Sequence, residues 1–222
     1  MADASIPKTA PGVRISAGSL SKGGRTRERI LDLAEDAIIH KGFAATSIDE
    51  LVEGAGISKS TFFYHFRDKN DLARQLIQRF IDRDVEIHAC LESRARSLSD
   101  DPLQALLIYL RLFGEMMDDL PSTHPGCLVA AITYQDRLFD REVCRLNEQA
   151  VRSWRERFHA WLKEIAEIYP PGAPVDLEAL ADAFNVMADG GIITSRALGE
   201  QAVLGRQARL LHDFIKLLFD GR

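Results

Sequence analysis

From residue 25 onward the apolar positions of this chain recur three and four apart, the spacing of one face of an α-helix. Ile30, Leu33, Ala34, Ala37 and Ile38 form the first such stripe, and Gly42 ends it, which predicts a helix over Arg25–Lys41. Ile48, Leu51, Val52 and Ala55 line a second helix of about two turns. Thr46 with Asp49 and Ser47 with Glu50 both fit a capping box at its start, and Gly56 stops it. Ser58 caps a third short helix. Asp68 and Asp71 can cap a fourth, from near Lys69 to about Ser97. Asp101-Pro102 then opens a helix to about Met117, followed by the loop "LPSTHPG" and the short apolar helix "CLVAAITYQD". Asp140–Tyr169 reads as a long amphipathic helix stopped by "PPGAP". Two more helices run from about Asp176 to Gly199 and from about Leu204 to Phe219. No alternating stretch is bounded by hairpin turns, so the chain reads as all-α.

This pattern divides the chain into three parts. Residues 1–24 are rich in Ala, Ser, Gly and Pro and read as a flexible tail. Residues 25–70 hold three short helices. Residues 71–222 form a larger helical domain. In the front part, two short helices across a glycine turn have the layout of a helix-turn-helix, whose second helix can enter the DNA major groove. The stretch "GISKSTFFYHFRDKNDL" carries that second helix. Helical spacing assigns Phe62 and Phe66, with Ile57, to the core. It leaves Lys59, Ser60, Thr61, Phe63, Tyr64 and His65 on the remaining arc, where they suit phosphate oxygens, base edges and thymine methyls. The competing reading is an amphipathic helix with a solvated face. The exposed pair Phe63-Tyr64 weighs against it, because such a patch is unfavourable in water without a partner.

Charge supports the same view. The net charge of −5 argues against non-specific nucleic-acid binding, but its distribution is uneven. Residues 1–70 hold 10 Lys+Arg against 9 Asp+Glu, and residues 71–222 hold 18 against 24. Lys22, Arg25, Arg27 and Arg29 fall within eight residues, offset only by Glu28. Three scattered cysteines are too few for a disulfide framework. No apolar run approaches the roughly 20 residues of a membrane span, and the first twenty residues have no secretory h-region, so a cytoplasmic protein without membrane partners is expected. No nucleophile elbow, phosphate-binding glycine loop or His-Glu-x-x-His motif is present, and His88, Cys90, His124 and Cys127 are too sparse for zinc. We expect no enzyme, no cofactor and no metal.

The stretch "TSIDELVEGAGISKSTFFYHFRDKNDL" resembles the DNA-binding segment of the TetR family of bacterial transcriptional regulators. Thr46, Ala55, Gly56, Ile57, Ser58, Lys59, Thr61, Tyr64, His65, Phe66 and Lys69 match that family's pattern in register across 27 residues. The resemblance implies that Thr46, Ser58, Lys59, Tyr64, His65 and Lys69 contact the sugar-phosphate backbone or bases. Ser60 and Thr61 would face the groove floor, with Phe63 beside them and Arg27 joining from the basic cluster. The sequence departs from the pattern at Phe63, where tyrosine is usual, at Val52, where alanine is usual, and at Gly54 in the bracing helix.

The rear part carries two heptad-like stripes. Leu177, Ala181, Phe184, Ala188, Gly191, Ser195 and Leu198 form one, and Leu204, Ala208, Leu211, Ile215 and Leu218 the other. They suit either the protomer's own core or half of a four-helix dimer interface. The family resemblance implies the dimer, with Phe184, Ala188, Gly191, Ser195, Leu211, Ile215 and Leu218 at the contact. Phe113, Met117, Trp154 and Phe158 are candidates to line a small-molecule pocket, with Tyr134 and Asn185 as its polar anchors. The resemblance implies a small hydrophobic or amphipathic effector whose binding releases a palindromic double-stranded operator, the fourth helix transmitting the change. Two alternatives stand beside this expected repressor. One is a ligand-independent DNA-organising protein. The other is an electrophile or redox sensor acting through Cys127, which sits near a helix start where a thiol's pKa falls.

Overall fold

The computed structural model of the protein describes residues 21–219, in which no strand occurs. Positions 1–20 of the expected tail lie outside this range. The chain order is α1 (Lys22–Lys41), α2 (Ile48–Ala55), α3 (Lys59–His65), α4 (Lys69–Leu98), α5 (Pro102–Asp118) and α6 (Leu128–Thr133). A single 3-10 turn (Asp136–Leu138) leads into α7 (Arg141–Ile168), and α8 (Leu177–Leu198) and α9 (Val203–Phe219) complete it.

The helix ends follow from side chains that satisfy otherwise orphaned N–H groups. Ser21 accepts from the Gly24 N–H at 3.1 Å, so α1 starts three residues ahead of the expected Arg25. Of the two candidate capping boxes before α2, Ser47 is the cap, accepting from Glu50 at 3.2 Å. At α4 both expected aspartates cap, though not as a reciprocal box. Asp68 accepts the Asp71 N–H at 2.8 Å while Asp71 accepts the Arg67 N–H at 2.9 Å. Asp101 and Asp176 cap α5 and α8, and Gly199 ends α8 in the left-handed conformation.

The described residues group into two compact units, one formed by 21–84 with 125–150, the other by 85–124 with 151–219. Helices α4 and α7 each contribute residues to both. In the first unit, Ile30, Leu31, Ala34 and Ile38 of α1, Leu51 and Ala55 of α2, Phe62 of α3, Phe66 just after it, and Leu72, Leu76, Ile77 and Phe80 of α4 are all buried. A charge cluster ties α1 to α4. Arg79 donates to Glu28 at 3.0 Å, to Asp32 at 2.9 Å and to Glu35 at 2.7 Å, while Arg83 donates to both Glu35 oxygens at 2.7 and 2.6 Å. Glu35 is only 5% exposed, so its charge depends on those two guanidinium groups for solvation.

In the second unit α9 packs on both α5 and α8. Glycines permit the close approach. A Cβ on Gly205 would lie 2.0 Å from Asp118 Oδ1 of α5, and one on Gly191 would lie 2.7 Å from Leu204 Cδ1. Tyr109, Phe158, Trp161 and Phe184 fill the centre, Phe158 stacking on Phe184 with ring centroids 3.9 Å apart. The Trp161 indole N–H donates to the Pro102 carbonyl at 3.0 Å, which anchors α7 to the start of α5. His124, in the loop after α5, is buried. Burial, and secondarily the positive charge of Arg196, lowers its pKa from the ordinary 6.5 to about 4.

Two outcomes are expected. Glu35→Ala leaves the largely covered Arg83 guanidinium without its carboxylate and should cost about 3 kcal/mol or more, roughly 6–12 °C in Tm, read by circular dichroism. A loss below 2 °C would contradict the role given to this cluster. His124 is neutral when folded and takes up a proton more readily when unfolded, so its contribution is complete above pH 6.5 and is lost as pH falls toward 4. Between pH 6.5 and 5 the loss should be about 2 kcal/mol, and His124→Gln should flatten that part of a urea-midpoint profile.

Candidate functional site

Gly56 ends α2 at φ 62°, in the left-handed conformation, and the Ile57 N–H closes back to the Val52 carbonyl at 3.1 Å. This turn redirects the chain within two residues, and Ser58 caps α3 by accepting the Thr61 N–H at 3.2 Å. The Ser58 hydroxyl also lies 2.8 Å from that of Ser60 and 2.9 Å from that of Thr61, so three hydroxyls cluster at the head of α3. Phe62 and Phe66 face inward with ring centroids 5.4 Å apart. On the outer arc Phe63 is 51% exposed and Tyr64 is 83% exposed, with Lys59 and Ser60 exposed beside them. Lys59 pairs with Asp49 at 2.6 Å. Both partners are largely exposed, so the pair is weak and its ammonium can exchange to another anion at little cost.

His65 is half-buried, and its position is linked to α1. Gln75 donates to the His65 carbonyl at 3.5 Å and accepts from Arg27 Nε at 3.0 Å. Arg27 therefore sits half-buried in a polar link between helices, with a second bond to Glu28 at 2.8 Å. Gly54, one of the departures from the family pattern, lies beside α1. Its carbonyl accepts from Arg29 of α1 at 3.2 Å, which ties α2 to α1.

Two residues expected at the contact surface turn inward instead. Thr46 is buried, its hydroxyl donates to the Gly42 carbonyl at 2.9 Å, and its N–H goes to the Phe43 carbonyl at 3.2 Å. Lys69 donates to the Phe43 carbonyl and sits 4.2 Å from the centre of the Phe43 ring. Its pKa is lowered, by desolvation first and then by the charge of Lys41. Both residues hold the α1–α2 turn. Ser58, Lys59, Ser60, Phe63 and Tyr64 form the exposed surface, with Thr61 and His65 half-buried at its margin.

The expected pocket residues fall in both compact units. Phe113, Met117, Trp154, Phe158 and Asn185 belong to the second compact unit, whereas Tyr134 belongs to the first, where it is 77% exposed at the end of α6. Tyr134 is thus corrected from pocket anchor to surface residue. Its polarity among apolar neighbours reflected an exposed helix end. His88 of α4, considered above only as a metal ligand, lies among the aromatic residues of the second unit. Its ring hydrogen-bonds the buried Tyr109 hydroxyl and stacks on Phe113 at 6.3 Å. Met117 and Phe158 are buried, and Phe113, Trp154 and Asn185 are half-buried. Cys127 precedes a six-residue helix and offers that helix no side-chain cap.

The expected dimer stripe also needs correcting. Phe184, Gly191, Ser195, Leu211 and Ile215 are buried within the protomer, with Ala188 and Leu218 half-buried. Their stripe is the seam by which α8, α9 and α5 pack on one another. Ser195 is occupied internally as well, donating to the Glu200 carbonyl at 2.7 Å. A second apolar stripe lies on the exposed faces of these helices: Val186, Gly190, Ile193 and Ala197 on α8, and Leu210, Phe214 and Leu217 on α9. That spacing was present in the sequence, but periodicity cannot say which of two stripes faces inward.

Residues 30–76 match the model of bacterial regulatory proteins of the tetR family. The transcriptional regulator AcuR of Cereibacter sphaeroides is 24% identical over 193 residues, 86% of this chain and 80% of that one. The transcriptional repressor KstR2 of Mycobacterium tuberculosis is 24% identical over 188 residues, 79% of this chain and 88% of that one. Some further relatives match over little more than half of their length. Among solved structures, a TetR-family transcriptional regulator from Agrobacterium tumefaciens superimposes with a TM-score of 0.72 at 24% identity, covering 86% of this chain and 98% of its own. Residues 30–76 thus carry the N-terminal segment of the TetR family of bacterial regulatory proteins, joined to a helical remainder whose fold these relatives share, and regulators of that family are DNA-binding proteins and not enzymes.

Proposed function

We propose that the protein is a homodimeric repressor that binds a palindromic operator through α3 and is released by a small hydrophobic or amphipathic effector. The observation that carries this reading is the outer arc of α3, where an exposed Phe-Tyr pair stands with Lys59 and the Ser58–Ser60–Thr61 hydroxyls. That arc combines phosphate donors, base-edge partners and apolar surface within one short helix, the mixture that duplex recognition requires. Two such heads are needed for a specific site, and a symmetric pair reads a palindrome.

The second copy is expected on the exposed stripe of α8 and α9. Val186, Ile193, Leu210, Phe214 and Leu217 are apolar, exposed and spaced to form a four-helix seam with their symmetry mates. The effector reading draws on the aromatic core of the second unit. His88 and Tyr109 supply a polar pair among Phe113, Phe158 and Phe184, and the buried Asn185 Nδ2 has no hydrogen-bond partner. Since α4 carries His88 and also contributes to the DNA-binding unit, an effector that prefers one placement of α4 changes operator affinity by the same coupling factor.

Selection from a randomised 30-base-pair library, followed by fluorescence anisotropy on the selected duplex, tests the DNA reading. Tyr64→Ala should weaken binding roughly tenfold, and Lys59→Ala should reduce the slope of log K against log salt by about one unit. A pool that never enriches for a palindrome, or variants that bind like the parent, would overturn it. For the dimer, Leu210→Glu with Phe214→Glu should yield a folded monomer by light scattering and circular dichroism. Leu211→Glu with Ile215→Glu should lose the helical fold, because those residues are core. A dimer that survives the first pair would place the interface elsewhere.

A further inference from the structure

The turn between α1 and α2 is held from outside itself, and Phe43 is its hub. The Phe43 N–H donates to Gln135 Oε1 at 3.0 Å, across 92 residues of sequence. Its carbonyl accepts from Lys69, the first residue of α4, across 26 residues. Its ring lies 4.2 Å from that of Phe139, tilted by 37°, and is capped on a face by the Lys69 ammonium. Both backbone polar groups and the side chain of one residue are thus gripped by elements remote in the chain.

Gln135 also lies against the neighbouring Gly42. Gly42 adopts φ +87°, open to glycine, and a Cβ there would lie 2.7 Å from Gln135 Nε2 and 2.9 Å from Oε1. The amide of Gln135 therefore occupies the space a Gly42 side chain would take, at a backbone conformation that favours glycine. Gln135 is itself fixed, since its N–H donates to Ile132 at 3.0 Å and its carbonyl accepts from Leu138 at 2.9 Å. Just beyond, Arg74 of α4 pairs with Glu142 at 3.2 Å and Asp140 at 3.7 Å, holding the start of α7 on the same compact unit. Residues 134–142 form a brace on the turn that launches α2 and hence α3.

We infer that Gln135 is a positioning residue for DNA recognition: it sets the α1–α2 turn, and through it the placement of the reading helix, from the segment between α6 and α7. This rests on the DNA-binding reading proposed above and adds to it a site of control. Without the Gln135 acceptor the Phe43 N–H is left half-buried and unpaired, and the turn samples other conformations. The recognition-competent placement of α3 is then populated only part of the time, and the apparent operator affinity falls by that fraction. Binding that depends on charge alone changes little.

The test compares Gln135→Ala and Gln135→Glu with the parent on the duplex that the parent selects and on a scrambled duplex. The glutamate variant keeps an oxygen in place for the Phe43 N–H. Gln135→Ala should bind the selected duplex roughly tenfold more weakly and the scrambled one within about twofold of the parent, while Gln135→Glu recovers most of the loss. Hydrogen exchange should quicken in the peptide spanning residues 39–48 of the alanine variant and stay unchanged in the second compact unit. Parental affinity in Gln135→Ala would overturn the inference, as would a glutamate variant as weak as the alanine one. Equal losses on both duplexes with faster exchange throughout would reduce Gln135 to a stability role and overturn it as well. A parent protein that selects no duplex would instead overturn the DNA-binding reading, and this inference with it.

Discussion

A helix of seven residues cannot hold itself in water, because nucleating a turn costs more than a handful of hydrogen bonds return. Helix α3, which carries the proposed reading surface, is such a helix, and the eight-residue α2 before it is little better off. Their existence depends on burying Phe62, Phe66, Leu51 and Ala55 against α1 and α4, and on caps at Ser47 and Ser58. Much of the first compact unit can be understood as scaffolding for this requirement. It explains why the outer arc of α3 can carry residues chosen for contact, since the inner arc already supplies the cohesion.

The scaffold is polar as well as apolar. Glu35 lies buried between two arginines of α4, and Arg27 reaches α3 through Gln75. Such buried charge is a poor source of stability compared with packed hydrocarbon, but its geometry tolerates few alternatives. A leucine seam can slide by a fraction of a turn at small cost, whereas a carboxylate gripped by two guanidinium groups cannot. The relative placement of α1 and α4, which frames the reading helix, is defined accordingly.

The second unit solves a different problem. Its helices α8 and α9 carry two apolar stripes each, one used in packing on each other and on α5, the other exposed. Glycines at 191 and 205 let the inner seam close tightly, leaving the outer stripe as an exposed apolar surface of the kind that single soluble chains rarely leave bare.

Nearly every helix was legible in the residue pattern, because caps, glycine stops and the 3.6-residue period are local signals that the chain carries wherever it folds. The pattern also determined the inward and outward arcs of α3, since Phe62 and Phe66 share one face at any helical geometry. It did not determine which stripe of α8 and α9 is core, because both have the same period and burial is a property of neighbours. Tyr134, Thr46 and Lys69 show the same limit: a polar group has the same spelling whether its partner is water, a phosphate or a backbone carbonyl. The grip of Gln135 on Phe43 was invisible for a further reason. It joins positions 92 apart through one hydrogen bond and one bare glycine, and only the tertiary structure brings such positions together.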